Sequence, residues 1–114
     1  MTPFEPGDVV LVRFPFTDLT TTKKRPAVII SPPDFALRHK DVVLIALTSR
    51  PQSDNESALV DWRAAGLPKQ TWVKPLIGTL AAAVVERRLG SVSAADLLRI
   101  SSIVRRLIAP TFLS

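Results

Sequence analysis

Hydrophobic and polar positions in the first half of the chain follow the period of strands. The runs 9–14 and 27–30 are rich in β-branched residues, and 42–47 is a third such run. Within the first, Val10, Val12 and Phe14 face one way while Val9, Leu11 and Arg13 face the other, so both faces are mostly apolar. A strand of that kind suits a small barrel, or a sheet with one face in a subunit contact. Pro32-Pro33 stops the second strand, the polar stretch 34–41 reads as a connection, and 50–57 reads as a surface loop. Further on, 57–62 suits a short strand and 61–66 a helical turn closed by Gly66 and Pro68. Two β-prone pieces, 71–73 and 76–80, flank Pro75, which places that proline at a strand edge or start, and 81–86 has room for one helical turn.

The pattern changes period near the end. Ser93 stands three residues before Asp96, a capping box with Asp in place of Glu or Gln, so a helix begins at Ala94. Leu97, Ile100, Val104, Leu107 and Ile108 then recur on one helical face, and Pro110 stops the helix. The elements together predict a mainly β domain with a C-terminal helix.

One connection is longer than the fold requires. Joining two antiparallel strands takes about two to five residues, yet Pro15, Asp18, a threonine run and a basic cluster separate the first two strands. That extra length marks a candidate functional loop. Lys23, Lys24 and Arg25 arrive just before Pro26, which holds Arg25 extended at the start of a strand.

Composition narrows the classes of function. A chain of 114 residues, 46% hydrophobic and 22% charged, has the size and make-up of one folded domain, 1–114. Its net charge of +5 favours anionic partners. The absence of cysteine excludes disulfides, thiolate metal sites and thiol nucleophiles. The N-terminus lacks the basic and apolar regions of a signal peptide, and the longest uncharged apolar run, 76–85, is short of the ~20 residues of a membrane span. A cytoplasmic protein is the expectation.

Three stretches in order carry a family likeness: Gly7-Asp8-Val9-Val10, then Phe14-Pro15-Phe16, then Arg25-Pro26-Ala27-Val28. With the hydrophobic strand that ends in Thr48-Ser49 and an Arg88-Leu89-Gly90 turn, the chain resembles the MazF/PemK family of toxin endoribonucleases. The resemblance implies a small SH3-like β-barrel of the CcdB/PemK type, a homodimer, a cognate acidic antitoxin and single-stranded RNA as substrate. It also implies that the family's catalytic Arg and Thr fall on Arg25 and Thr48. In one departure, Ile77-Gly78-Thr79 stands where family members often carry a charged residue.

Such chemistry fits these residue types. RNA carries its own nucleophile, the 2′-hydroxyl, so an enzyme using it needs no Ser, Cys, metal or cofactor. It must stabilise a pentacoordinate transition state and manage protons. Arg25 offers fixed donors and a permanent charge, and Thr48 a hydroxyl for positioning. Ser49 is an adjacent hydroxyl. Lys23, Lys24 and Arg50 lie beside the pair in sequence and suit neighbouring phosphates, and Phe16 offers a ring to an unpaired base. His39 is the only histidine, so a paired-His mechanism is impossible within one subunit. Asp54 and Glu56 lack a third ligand at a recognisable spacing, so no metal site is expected. Two other readings remain at this point: a CcdB-like toxin that poisons a protein such as gyrase, and a catalytically silent RNA-binding protein.

Overall fold

The computed structural model describes residues 4–13 and 23–108. Five strands form one sheet: β1 (Asp8–Arg13), β2 (Lys24–Ile29), β3 (Asp41–Thr48), β4 (Trp72–Ala81) and β5 (Val85–Ser91). Their order across the sheet is β4-β3-β2-β1-β5, every neighbour antiparallel. Two helices accompany it, α1 (Pro33–His39) and α2 (Ala94–Leu107).

Both faces of the sheet are buried because strand residues alternate between two apolar clusters. On one face Val9, Val28, Ile45 and Leu47 pack with Leu59, Leu67, Ile100 and Ile103, so α2 and the segment after β3 form its cover. On the other, Val10, Val12, Ala27, Ile29, Val42 and Leu44 gather with Leu80. The strict alternation of Val9 and Val10 between these clusters is the expected two-residue period of a strand. Ile100 is 1% exposed, and truncating such a residue to Ala costs about 2–5 kcal/mol.

The mainly β architecture with a C-terminal helix is as expected, but the sheet is not closed into a barrel. β4 and β5 are consecutive in sequence yet lie at opposite edges, with no pairing between them among the described residues. The sheet is nonetheless strongly curled. Laid flat, edge strands four spacings apart would stand about 19 Å from one another. The four Cα steps from Ala81 to Val85, through a 3₁₀ turn at Ala82–Val84, reach at most about 15 Å. Closure is opposed by the β4 edge itself. β4 contains Pro75, which has no N–H, so its donors do not form an unbroken row.

Four local expectations also change. The stretch 57–62 forms no strand, only the isolated bridge Ala58↔Trp72. The stretch 34–41 holds α1, because Pro33 occupies the first helical turn, where a missing N–H costs nothing; Lys40 then caps the helix in a left-handed conformation, φ 57°. The sequence Arg88-Leu89-Gly90 lies inside β5 and is no turn. The pieces on either side of Pro75 are one strand, β4, whose register shifts where Lys74, Pro75 and Leu76 oppose Ala46. The bulge on an edge strand is where a proline is tolerated.

α2 begins as its capping box predicts, with the Ser93 hydroxyl accepting from the Asp96 N–H at 3.1 Å. The Asp96 carboxylate, fully buried, turns outward from its own helix and accepts from the N–H groups of Val60 and Asp61 at 3.0 and 2.8 Å. It thereby ties the segment after β3 to the helix. No helix among the described residues is long and apolar enough to cross a membrane.

Candidate functional site

The β2–β3 ladder runs Ile29↔Leu44, Val28↔Ile45, Ala27↔Ala46 and stops there. Beyond that pair β2 and β3 separate, and Arg25 on one and Thr48 on the other line a single groove. Thr48 is held from its other side by pairing with Trp72 of β4. Its hydroxyl accepts from the Arg50 N–H at 3.1 Å, turning the chain so that Ser49 and Arg50 leave β3 sharply.

These residues open onto a groove of about 540 Å³. Leu11, Pro26, Leu47, Leu67 and Leu89 supply its apolar surface, and Lys24, Arg25, Arg50, Lys69 and Arg87 its charge. Thr48, Ser49 and Thr71 add hydroxyls. No carboxylate, imidazole or thiol lines it among the described residues. Arg25, Arg50, Lys69 and Arg87 make no ion pair among the described residues, whereas Lys24 Nζ lies 3.4 Å from Glu86, which also meets Arg13 at 3.5 Å.

Of the sequence-predicted residues, Lys24, Arg25, Thr48, Ser49 and Arg50 converge on this groove. Lys23 is exposed just before β2 and is not among its lining residues. Phe16 lies outside the described residues. Sequence reasoning missed Lys69 and Arg87. Lys69 follows a Gly-Leu-Pro turn that carried no chemical signal, and Arg87 is one of two adjacent arginines that looked alike. In the fold the two separate: Arg88 donates to Asp8 at 3.1 Å and to the Ser91 hydroxyl at 2.7 Å, while Arg87 faces the groove. Asp8, only 7% exposed, also accepts from the Glu5 N–H, which accounts for the acidic residue at the start of β1.

The arrangement is that of a small curled-sheet domain with a cationic, hydroxyl-bearing groove at the open end of two central strands. Residues 5–108 match the model of the PemK-like, MazF-like toxin of type II toxin–antitoxin system, and the chain belongs to that family. Solved structures agree on the fold. A mycobacterial endoribonuclease in complex with its cognate antitoxin is 22% identical, with 96% of each chain covered and a TM-score of 0.67. MazE-MazF from Deinococcus radiodurans is 16% identical over 96% of this chain and 98% of that one, TM-score 0.74. The Mycobacterium tuberculosis toxin MazF-mt6 is 13% identical over 90% and 96%, TM-score 0.72. No curated protein matches the sequence.

Proposed function

We propose that this toxin is an endoribonuclease that cuts single-stranded RNA by attack of the substrate's own 2′-hydroxyl. The observation that carries the reading is that Arg25 and Thr48 line one groove whose ionisable lining residues, among those described, are all cationic. An apolar floor beside unpaired cations suits a base and its phosphate together. A groove of about 540 Å³ takes a nucleotide-sized group.

In the reaction, the 2′-oxygen attacks the adjacent phosphorus and the bond to the 5′-oxygen of the next nucleotide breaks. The products are a 2′,3′-cyclic phosphate and a 5′-hydroxyl. The proton lost by the 2′-hydroxyl leaves to a base, and one proton is gained by the departing 5′-oxygen. Arg25 stabilises the charge that builds on the non-bridging oxygens, at a site where fixed donors need no reorganisation. Thr48 positions the phosphate through its hydroxyl, and Ser49, Lys24 and Arg50 hold neighbouring groups. The reaction needs no cofactor or metal, since the nucleophile comes with the substrate and the charge stabilisation comes from arginine.

The protein works in this reading as a cytoplasmic homodimer silenced by an acidic antitoxin. The exposed apolar residues Leu98, Ile108 and Val60, each at least 60% exposed, favour association; light scattering that finds only the 12.5 kDa monomer at micromolar concentration removes the dimer. Cleavage is tested with single-stranded RNA in excess EDTA. Cutting persists, and stops when the 2′-hydroxyl at the cut is replaced by hydrogen. Cutting that survives this replacement, or is abolished by EDTA, refutes the mechanism.

A further inference from the structure

We propose that Lys69 and Arg87 form a second phosphate-holding wall, so that the substrate strand lies across β3, β2, β1 and β5 instead of touching only the Arg25–Thr48 corner. This rests on the RNA reading above. The wall begins in the register of the sheet. Arg87 pairs with Leu11, and Leu11 pairs with Pro26, so the three stand in one row across three strands. Two interstrand steps put Arg87 about 10 Å from Pro26. Arg87 thus stands on the row of the groove's apolar floor and lines the same groove as Arg25 and Thr48.

Arg87 is also kept available. Its neighbour Arg88 is engaged by Asp8 and Ser91, whereas Arg87 makes no ion pair among the described residues and lines the groove. Lys69 reaches the same groove from the loop before β4 and likewise makes no ion pair there. Its backbone is fixed: the Thr71 hydroxyl donates to the Lys69 carbonyl at 2.8 Å, and the Gln70 amide donates to the Leu59 carbonyl at 2.8 Å.

The loop is seated on β5 by a contact that admits no side chain. A Cβ on Gly66 would lie 2.3 Å from the Leu89 carbonyl oxygen, and one on Gly90 would lie 2.5 Å from that of Ala65. Gly66 has in addition a φ of +84°, which other residues rarely adopt. Two glycines thus bring the loop carrying Lys69 against the strand carrying Arg87. The cations are presented from fixed backbone, so binding pays no loop-ordering cost beyond that of the side chains themselves.

The test is binding, read apart from cleavage. A short mixed-sequence RNA that is 2′-O-methylated throughout cannot supply the nucleophile, and its affinity is measured across a salt series. Each phosphate contact contributes about 0.7 to the slope of log affinity against log salt for a single strand. Lys69→Gln and Arg87→Gln are each expected to weaken binding at low salt several-fold and to lower the slope by about 0.7. The charge-keeping variants Lys69→Arg and Arg87→Lys should restore both, which separates a lost contact from a damaged fold. Arg105→Gln, on α2 away from the groove, should alter the slope of neither series.

With cleavable RNA the two glutamine variants should raise KM more than they lower kcat. Unchanged affinity and slope in both glutamine variants overturns the wall. So does an equal loss in Arg105→Gln. Failure of the catalytic reading looks different: the wild-type protein binds the methylated RNA with the full slope but leaves ordinary RNA uncut.

Discussion

Two hollows of nearly equal size lie on this domain, about 540 Å³ at the open ends of β2 and β3 and about 510 Å³ beside α2. Their walls differ in kind. The second is lined by Pro6, Ile30, Leu97, Ile100, Val104 and Ile108, with Ser101 and Arg105 as its polar members. The first gathers five cations and three hydroxyls around an apolar floor. Volume therefore says nothing about which hollow does chemistry. A helix laid on a sheet leaves an apolar cleft along its flank wherever side chains fail to fill the angle between them. Unpaired strand ends that collect cations from four separate elements have no such packing explanation, because bringing like charges together is unfavourable without an anion to receive.

That contrast can be broken most severely at Arg25. Arg25→Ala should lower kcat for RNA cleavage by about 10²–10³, the usual effect of removing one transition-state donor. The residue is exposed at the start of β2, so the melting temperature should hold. Full turnover by the variant would take Arg25 out of the mechanism.

On the α2 side the large effects should be on stability. Asp96→Ala leaves the N–H groups of Val60 and Asp61 without their buried acceptor, at a cost of about 2–4 kcal/mol. Urea unfolding reads this directly, and a loss below about 1 kcal/mol would mean that water replaces the carboxylate.

Thr48→Val sharpens the account of the groove at nearly constant volume. Loss of the hydroxyl should lower kcat/KM about tenfold, corresponding to one hydrogen bond of about 1.4 kcal/mol in the transition state. The Arg50 N–H also loses its acceptor, so Thr48→Ser, which keeps the hydroxyl, is the control and should retain near-full kcat/KM. Smallest of all is the effect of Ser101→Arg, which places a charged side chain in the α2 cleft. It should leave kcat/KM within about twofold of wild type, and a tenfold change would move the functional claim to the other hollow.

The same contrast explains what could be read from the sequence. Arg25 and Thr48 were picked out through the family likeness, each beside a recognisable neighbour, Pro26 in one case and Ser49 in the other, and both line the groove. The capping of α2 was legible because Ser93 and Asp96 act within one turn. Lys69 and Arg87 were not, since the contact that brings them together is between Gly66 and Gly90, residues whose partners are set by tertiary structure. The Pro32-Pro33 pair shows a local signal with two meanings: it ends β2 and also begins α1, and only the second made a helix of 33–39. β5 was hidden by its Glu86-Arg87-Arg88 run, which breaks the apolar pattern on an edge strand exposed along most of its length. Closure of the barrel is encoded by no single residue. It depends on how two edge strands far apart in the sheet order meet, and β4 and β5 lie at opposite edges.

The most direct test of the central claim is the chemistry of the ends left on cut RNA. If Arg25 and Thr48 promote attack by the substrate's 2′-hydroxyl, every cut carries a 2′,3′-cyclic phosphate on one side and a 5′-hydroxyl on the other, and the 5′ ends label with a kinase without prior dephosphorylation. Cuts that leave a 3′-hydroxyl and a 5′-phosphate would show that water or another nucleophile attacks from outside, and the roles given to Arg25 and Thr48 would be wrong.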